Sequence, residues 1–179
     1  MIRPRTAEAV AALWGLAEAT LFFVVPDVWL SLVAAASRRR ALRACLWAAA
    51  GALAGGLAMH AWGAADPAWA LAAVERVPAV SSAMVERVAA QLGEHGLWAL
   101  FVGPWTGTPY KLYAVQAGAL GVPAWQFALA SVPARLARFL VLSWMLGRLA
   151  GRLPARWRAP ALLAGWAVFY AGFFALMPG

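Results

Sequence analysis

Cysteine, lysine and acidic side chains are almost missing from this chain. One cysteine, Cys45, stands among 179 residues, which excludes an internal disulfide and says little about compartment. Charged residues make up 12% of the chain, hydrophobic residues 64%, and the mean hydropathy is +0.72. A soluble domain carries about a quarter charged residues, so water cannot be the solvent for much of this surface and lipid must be. The seven acids, against fifteen basic residues of which only Lys111 is a lysine, leave a net charge of +8. Such a balance can signal a nucleic-acid partner, but here the arginines flank apolar stretches and do not line a polar face. They anchor membrane segments on the cytoplasmic side and exclude the nucleic-acid reading. Also missing are a nucleophile–base pair, a phosphate-binding loop and any metal-spaced ligand set around His60 or His95. The expectation is therefore a non-enzyme without metal or cofactor.

Five apolar stretches occupy the chain, near 8–36, 44–63, 97–121, 123–147 and 160–177. The stretches 44–63 and 160–177 read as spanning helices, since about twenty residues at ~1.5 Å each match a hydrocarbon core of ~30 Å. Gly51 and Gly55 form a small-xxx-small pair that suits close helix packing within the chain better than a dimer seam. Arg3 and Arg5 before the first stretch raise the question of a signal peptide. The run is too long for one, and it holds Glu18 and Asp27. At about 29 residues it is also long for one span and short for two, and Pro26-Asp27 interrupts it. Arginines flank both of its ends, with Arg38, Arg39, Arg40 and Arg43 following. Both ends then lie inside, and 8–36 is predicted to be a re-entrant hairpin turning near Pro26. Gly103, Pro104, Gly107 and Pro109 crowd the middle of 97–121, with Gly118 near its end, which predicts a second re-entrant hairpin.

Counting crossings from a cytoplasmic N-terminus puts 64–96 outside and returns 123–147 to the inside. Arg148, Arg152, Arg156 and Arg158 then meet the cytoplasm, and Gly179 lies outside. Within 64–96, Val80, Met84, Val88 and Leu92 recur at helical spacing. They predict an amphipathic helix, lying either on the membrane surface or over the protein's own outer face. The fold class is a single all-α membrane domain. It contains two re-entrant hairpins and about three spans, and the order of hairpin then span occurs twice with opposite insertion sides, an inverted repeat. Trp47, Trp62, Trp69, Trp98, Trp144, Trp157 and Trp166 mostly flank segment ends and read as interfacial belts.

Five ionisable residues fall at membrane depth: Glu18, Asp27, Lys111, Arg135 and Arg138. Unpaired, they would total roughly 12–18 kcal/mol, more than the stability of a small protein. They must pair with one another or face a wet cavity. Arg135 and Arg138 share a helix face just after Pro133. Two acids against three bases leave a net positive interior, which a phosphate-bearing ligand would offset through guanidinium forks. Both uses of the arginines, ion pairing with Glu18 or Asp27 and anion binding, stay open together. Glu18 is the better proton carrier of the two acids, while Asp27 beside Pro26 is equally read as a helix cap.

The stretch Gly103–Gly118, GPWTGTPYKLYAVQAG, resembles the second-hairpin signature of the DedA family in its short YqaA-like form, within the VTT-domain superfamily. Thr108-Pro109-Tyr110-Lys111 and Ala117-Gly118 carry the match, Glu18 with Pro26-Asp27 resembles the family's acidic pair, and Arg135 and Arg138 its following basic residues. Where the family has an arginine after the first glycine, this chain has Pro104. The resemblance covers roughly residues 8–150. It implies translocation of phospholipids or polyprenyl phosphates across a bacterial cytoplasmic membrane, linked to protons. The partners it implies are lipids with phosphate head groups, and a homo-oligomer is left open. A secondary transporter of a small solute or ion is the alternative.

Overall fold

The computed structural model describes residues 4–78 and 80–176, without the side chains of Pro4 and Pro104. Arg3, the Pro104 side chain and Gly179, all invoked above, lie outside the described residues. The described residues form helices joined by short irregular segments and contain no strand. Nine α-helices follow one another: α1 (Pro4–Ala19), α2 (Asp27–Ala36), α3 (Arg38–Ala65), α4 (Pro67–Glu75), α5 (Ser82–His95), α6 (Ala99–Val102), α7 (Tyr110–Ala119), α8 (Ala124–Gly151) and α9 (Ala155–Leu176). Short 3-10 turns at Gly96–Trp98 and Gly103–Trp105 flank α6.

Three helices, α3, α8 and α9, are long and apolar enough to cross a membrane. With 28, 28 and 22 residues they outrun the expected 44–63, 123–147 and 160–177 at their polar ends. Apolarity marks where lipid begins, whereas arginine is a good helix former and carries the helix on into the interface. The helix ends follow local chemistry. Ser37 is extended and separates α2 from α3, the Asp66 side chain accepts from the Trp69 amide at 3.0 Å to start α4, and the Ser81 hydroxyl accepts from the Met84 amide to start α5. Gly107, at φ 82°, makes the left-handed turn ahead of α7 that a side chain would strain.

Helix α3 is the spine. Helix α1 runs beside it in the same direction, with the Ala12 backbone against Gly51 and Leu16, Ala19 and Thr20 against Gly55. A Cβ on Gly51 would collide with the Ala12 carbonyl, so the small-xxx-small pair serves packing within the chain. Helix α7 also runs with α3, its Tyr110 against Gly56, its Val115 backbone against Gly63, and Gly118 against the His60 carbonyl. Gly118, expected at a turn, is thus helical: its missing side chain lets two backbones touch. Helix α8 runs the opposite way, with Phe139 beside Cys45 and Val122 beside His60. Helix α2 lies along α8, with Ala34 against Gly147 and Asp27 against Arg138.

Two consequences position the site. Thr20, at the end of α1, and Tyr110, at the start of α7, both meet α3 at the adjacent Gly55 and Gly56. The irregular segments 20–26 and 103–109 therefore converge partway along the spine. In addition, the arginine-rich start of α3 and the end of α8 lie at one end of the bundle, which we call the basic end.

Helix α5 presents the predicted stripe, but Met84, Val88 and Leu92 are buried in the same core as α7. Tyr113 donates to the Gln91 side chain, and the Gln116 amide donates to the Val85 carbonyl at 2.6 Å. The stripe covers the protein's own face and is not left for lipid. Helix α9, by contrast, buries only Leu162 among its described residues, as expected of a span whose solvent is lipid.

Candidate functional site

The two breaks in helical structure bring the five deep charges together. Glu18 ends the last turn of α1, Asp27 opens α2, Lys111 opens α7, and Arg135 and Arg138 sit one turn apart on α8. Four of the five are almost fully enclosed: Arg135, Lys111 and Asp27 are 1% exposed and Glu18 4%.

Arg135 is paired with Glu18 through both guanidinium ends, a close Nη2 contact to Oε2 and an Nη1 contact to Oε1 at 3.4 Å. The guanidinium lies between the rings of Tyr110 and Phe139, 4.6 and 4.8 Å from their centroids. Stacking of this kind is worth about 2 kcal/mol where water is excluded. Phe139 stands four residues after Arg135 on the same face, and Tyr110 is held by its bond to Ser131. Arg135 is thereby walled in and lines neither of the two cavities described below.

Arg138 lies 3.0 Å from Asp27 through Nη2 and Oδ2, and its side chain keeps 14% exposure. The pair is close in distance but poorly aligned, and neither Asp27 oxygen has a hydrogen-bond donor among the described residues. Asp27 occupies the first turn of α2, where a helix dipole favours a carboxylate, while Pro26 takes the cap position without a side-chain bond. The capping reading of Asp27 is corrected accordingly, because Asp27 stands one position too late to cap.

Lys111 spans the two breaks. Its Nζ donates to the Phe22 carbonyl at 2.6 Å and makes no ion pair among the described residues. With two acids matched to two arginines, Lys111 is the basic residue of the five left without an acid partner among the described residues. Other groups satisfy the irregular backbone around it: the Val25 amide donates to the Tyr170 hydroxyl at 2.9 Å, and Trp14 Nε1 donates to the Val24 carbonyl at 2.9 Å. That accounting is what irregular backbone away from water requires.

Glu18, Lys111 and Arg138 open onto a cavity of about 640 Å³. Gly107, Thr108 and Pro109 form its edge, and Val77, Pro78 and Val80 close one side. The opposite wall is Trp166, Phe169, Tyr170 and Phe173 on α9, with Leu142, Leu146 and Leu149 on α8. From Arg138 to Leu149 the wall extends eleven residues, about 16 Å along the helix. The result is a mostly apolar corridor with its charge at one place, which suits an amphipathic ligand better than a hydrated ion.

Of the residues read from sequence, Lys111, Arg138 and Glu18 meet the cavity, Asp27 lies behind Arg138, and Arg135 lies behind Glu18. Pro26 is buried at the start of α2, and Gly103 leaves room for the Tyr113 hydroxyl. The α9 wall was read only as a span. Its aromatics at spacings of three, four and seven are a legible face, but nothing in the order of residues says what that face meets. Trp166, read as a belt residue, instead donates to the Ser31 hydroxyl at 3.1 Å and lines the corridor. His60 bonds the Val122 carbonyl at 2.8 Å.

No family model and no solved structure matches the chain. It is similar to a Haemophilus influenzae protein described as uncharacterized, 24% identical over 151 residues that cover 84% of this chain and 78% of the other. It is also similar to an uncharacterized Histophilus somni protein described as an HI0703 homolog, 29% identical over 75 residues. That match spans 42% of this chain and 39% of its relative.

Proposed function

We propose that this protein is a membrane translocase that carries phosphate-bearing lipids between leaflets. The observation that carries the reading is the corridor in which Lys111 and Arg138 meet an otherwise apolar, aromatic wall. A phosphate head group needs cationic donors at depth, and its tails need an apolar flank. Lys111 has spare donors beyond the Phe22 carbonyl, and the Arg138 guanidinium is the more accessible of the two arginines. Arg135, bound up with Glu18, positions the floor of the site.

The same reading places 8–36 and 97–121 in the membrane as hairpins that enter and return from opposite sides. Their turns at 20–26 and 103–109 face each other at the lysine, in the inverted arrangement that many transporters use. By the positive-inside rule the basic end is cytoplasmic, the N-terminus with it, in a bacterial cytoplasmic membrane. The likeness of Gly103–Gly118 to the DedA signature supports lipid phosphate as cargo. Glu18, which lines the corridor, and Asp27, with open acceptor positions beside Arg138, are the groups through which protons would couple.

Proteoliposomes carrying fluorescent phospholipid in both leaflets test the proposal through the fraction reached by a membrane-impermeant quencher. Protein should raise that fraction above the half reachable in empty vesicles, and Lys111→Gln with Arg138→Gln should reduce the rate by tenfold or more. An unchanged rate in that double variant, in protein that elutes as a single folded species, would refute the assigned site. Release of inorganic phosphate would point to an enzyme, and uptake of a water-soluble solute without lipid movement to a solute transporter.

A further inference from the structure

A second cavity, of about 420 Å³, lies at the basic end between α2, α3 and α8. It shares no lining residue with the corridor: α8 turns Leu142, Leu146 and Leu149 to the one and Leu140, Val141 and Trp144 to the other. Its floor is Ala34, Ala41, Cys45 and Gly147, small residues that let the helices approach. Cys45 and Ser143 satisfy each other at 3.4 Å, and the thiol also reaches the Phe139 carbonyl at 3.6 Å, so the floor carries no open polar demand.

The charge is at the rim. Arg38, from the first turn of α3, and Arg148, from the last turn of α8, both line the opening and are exposed, and neither is in an ion pair among the described residues. Arg148 is stacked on the Trp144 ring at 4.8 Å. Stacking holds a guanidinium by its face and leaves its edge donors free, which suits a phosphate. Leu42, Val141 and Trp144, on helices long enough to cross a membrane, are exposed around the groove, so it opens sideways toward lipid.

We propose that this groove binds one anionic phospholipid from the leaflet at the basic end, its phosphate between Arg38 and Arg148 and an acyl chain between α3 and α8. Two features set it apart from general attraction of basic residues to an anionic surface. The two arginines come from helices far apart in the sequence, α3 and α8, yet line one opening together with an apolar slot. The site is independent of the corridor and of the translocation reading.

Native mass spectrometry of the protein in micelles with equimolar phosphatidylglycerol and phosphatidylcholine provides the test. Wild-type protein should retain phosphatidylglycerol preferentially. Arg38→Gln with Arg148→Gln should lower that retention about thirtyfold, from the usual strength of two arginines at an anionic surface. Val141→Trp, or Leu42→Trp in its place, should fill the slot and displace the lipid with both arginines intact. Arg39→Gln with Arg152→Gln removes the same charge from the same end outside the groove, and should leave retention unchanged. Equal retention of the two lipids by wild type overturns the proposal. So does a loss from the Arg39 and Arg152 pair equal to that from Arg38 and Arg148, or retention that survives both slot-filling variants.

Discussion

Glu18 and Arg135 offer the sharpest test of how this interior is held. Arg135 is 1% exposed and held between two rings, so it cannot turn to water when its partner is lost, while Glu18, 4% exposed, meets only the mostly apolar corridor. Removing one member of a buried pair costs about 3–5 kcal/mol, because the other charge stays behind. Glu18→Gln keeps an acceptor near the guanidinium, and the Tyr110 and Phe139 rings continue to hold the cation, which points to the lower end, about 3 kcal/mol. Arg135→Met strands the Glu18 carboxylate instead, and the nearby Lys111 and Arg138 limit that loss to about 3 kcal/mol as well. The double variant leaves no stranded charge, only a buried amide without its partner, and should lose about 1–3 kcal/mol in all, a coupling of about 3–5 kcal/mol. Titrating the micelle-bound protein with sodium dodecyl sulfate, followed by far-ultraviolet circular dichroism, measures all four species. Additive losses, near 6 kcal/mol for the double variant, would refute the coupled pair.

Other expectations use different parts of the molecule. Gly51→Leu drives a side chain into the Ala12 carbonyl and should reduce the folded fraction recovered from membranes severalfold, whereas Gly172→Leu, with nothing near its Cβ position, should not. Tyr170→Phe removes the acceptor for the Val25 amide and should destabilise the fold by about 1–3 kcal/mol in the same titration; no change would mean that another group takes up that donor. In a Cys45→Ala background, cysteines at positions 5 and 37 should react with an impermeant thiol reagent from the same side of the membrane, and one at position 94 from the other. Labelling of 5 and 37 from opposite sides would overturn the entering and returning first segment.

Much of this organisation can be read along the chain because lipid acts locally. Long apolar runs and arginine flanks announce α3, α8 and α9 without reference to anything distant, and Pro26 and the Gly-Pro cluster at 103–109 announce the breaks. Even the five deep charges are conspicuous, since each interrupts a run where a charge is expensive. The boundaries were less legible, because helix continues through Arg38–Arg43 where the apolar signal has stopped. The amphipathic stripe of α5 was readable as a stripe, but a stripe does not say whether protein or lipid covers it.

Which charge meets which was beyond the sequence. Glu18 and Arg135 lie 117 positions apart and Lys111 and Phe22 lie 89 apart, so their partners depend on how α1, α7 and α8 dock against α3. The sequence by itself determined that three segments are long and apolar enough to cross a membrane, and that two acids and three basic residues interrupt the apolar runs. Tertiary structure decided that Lys111 is the basic residue left without an acid partner, that Arg135 is enclosed while Arg138 faces the corridor, and that α9 supplies its aromatic wall. The reason is physical: burial in lipid is a property of a segment, whereas pairing and enclosure are properties of a place where several segments meet.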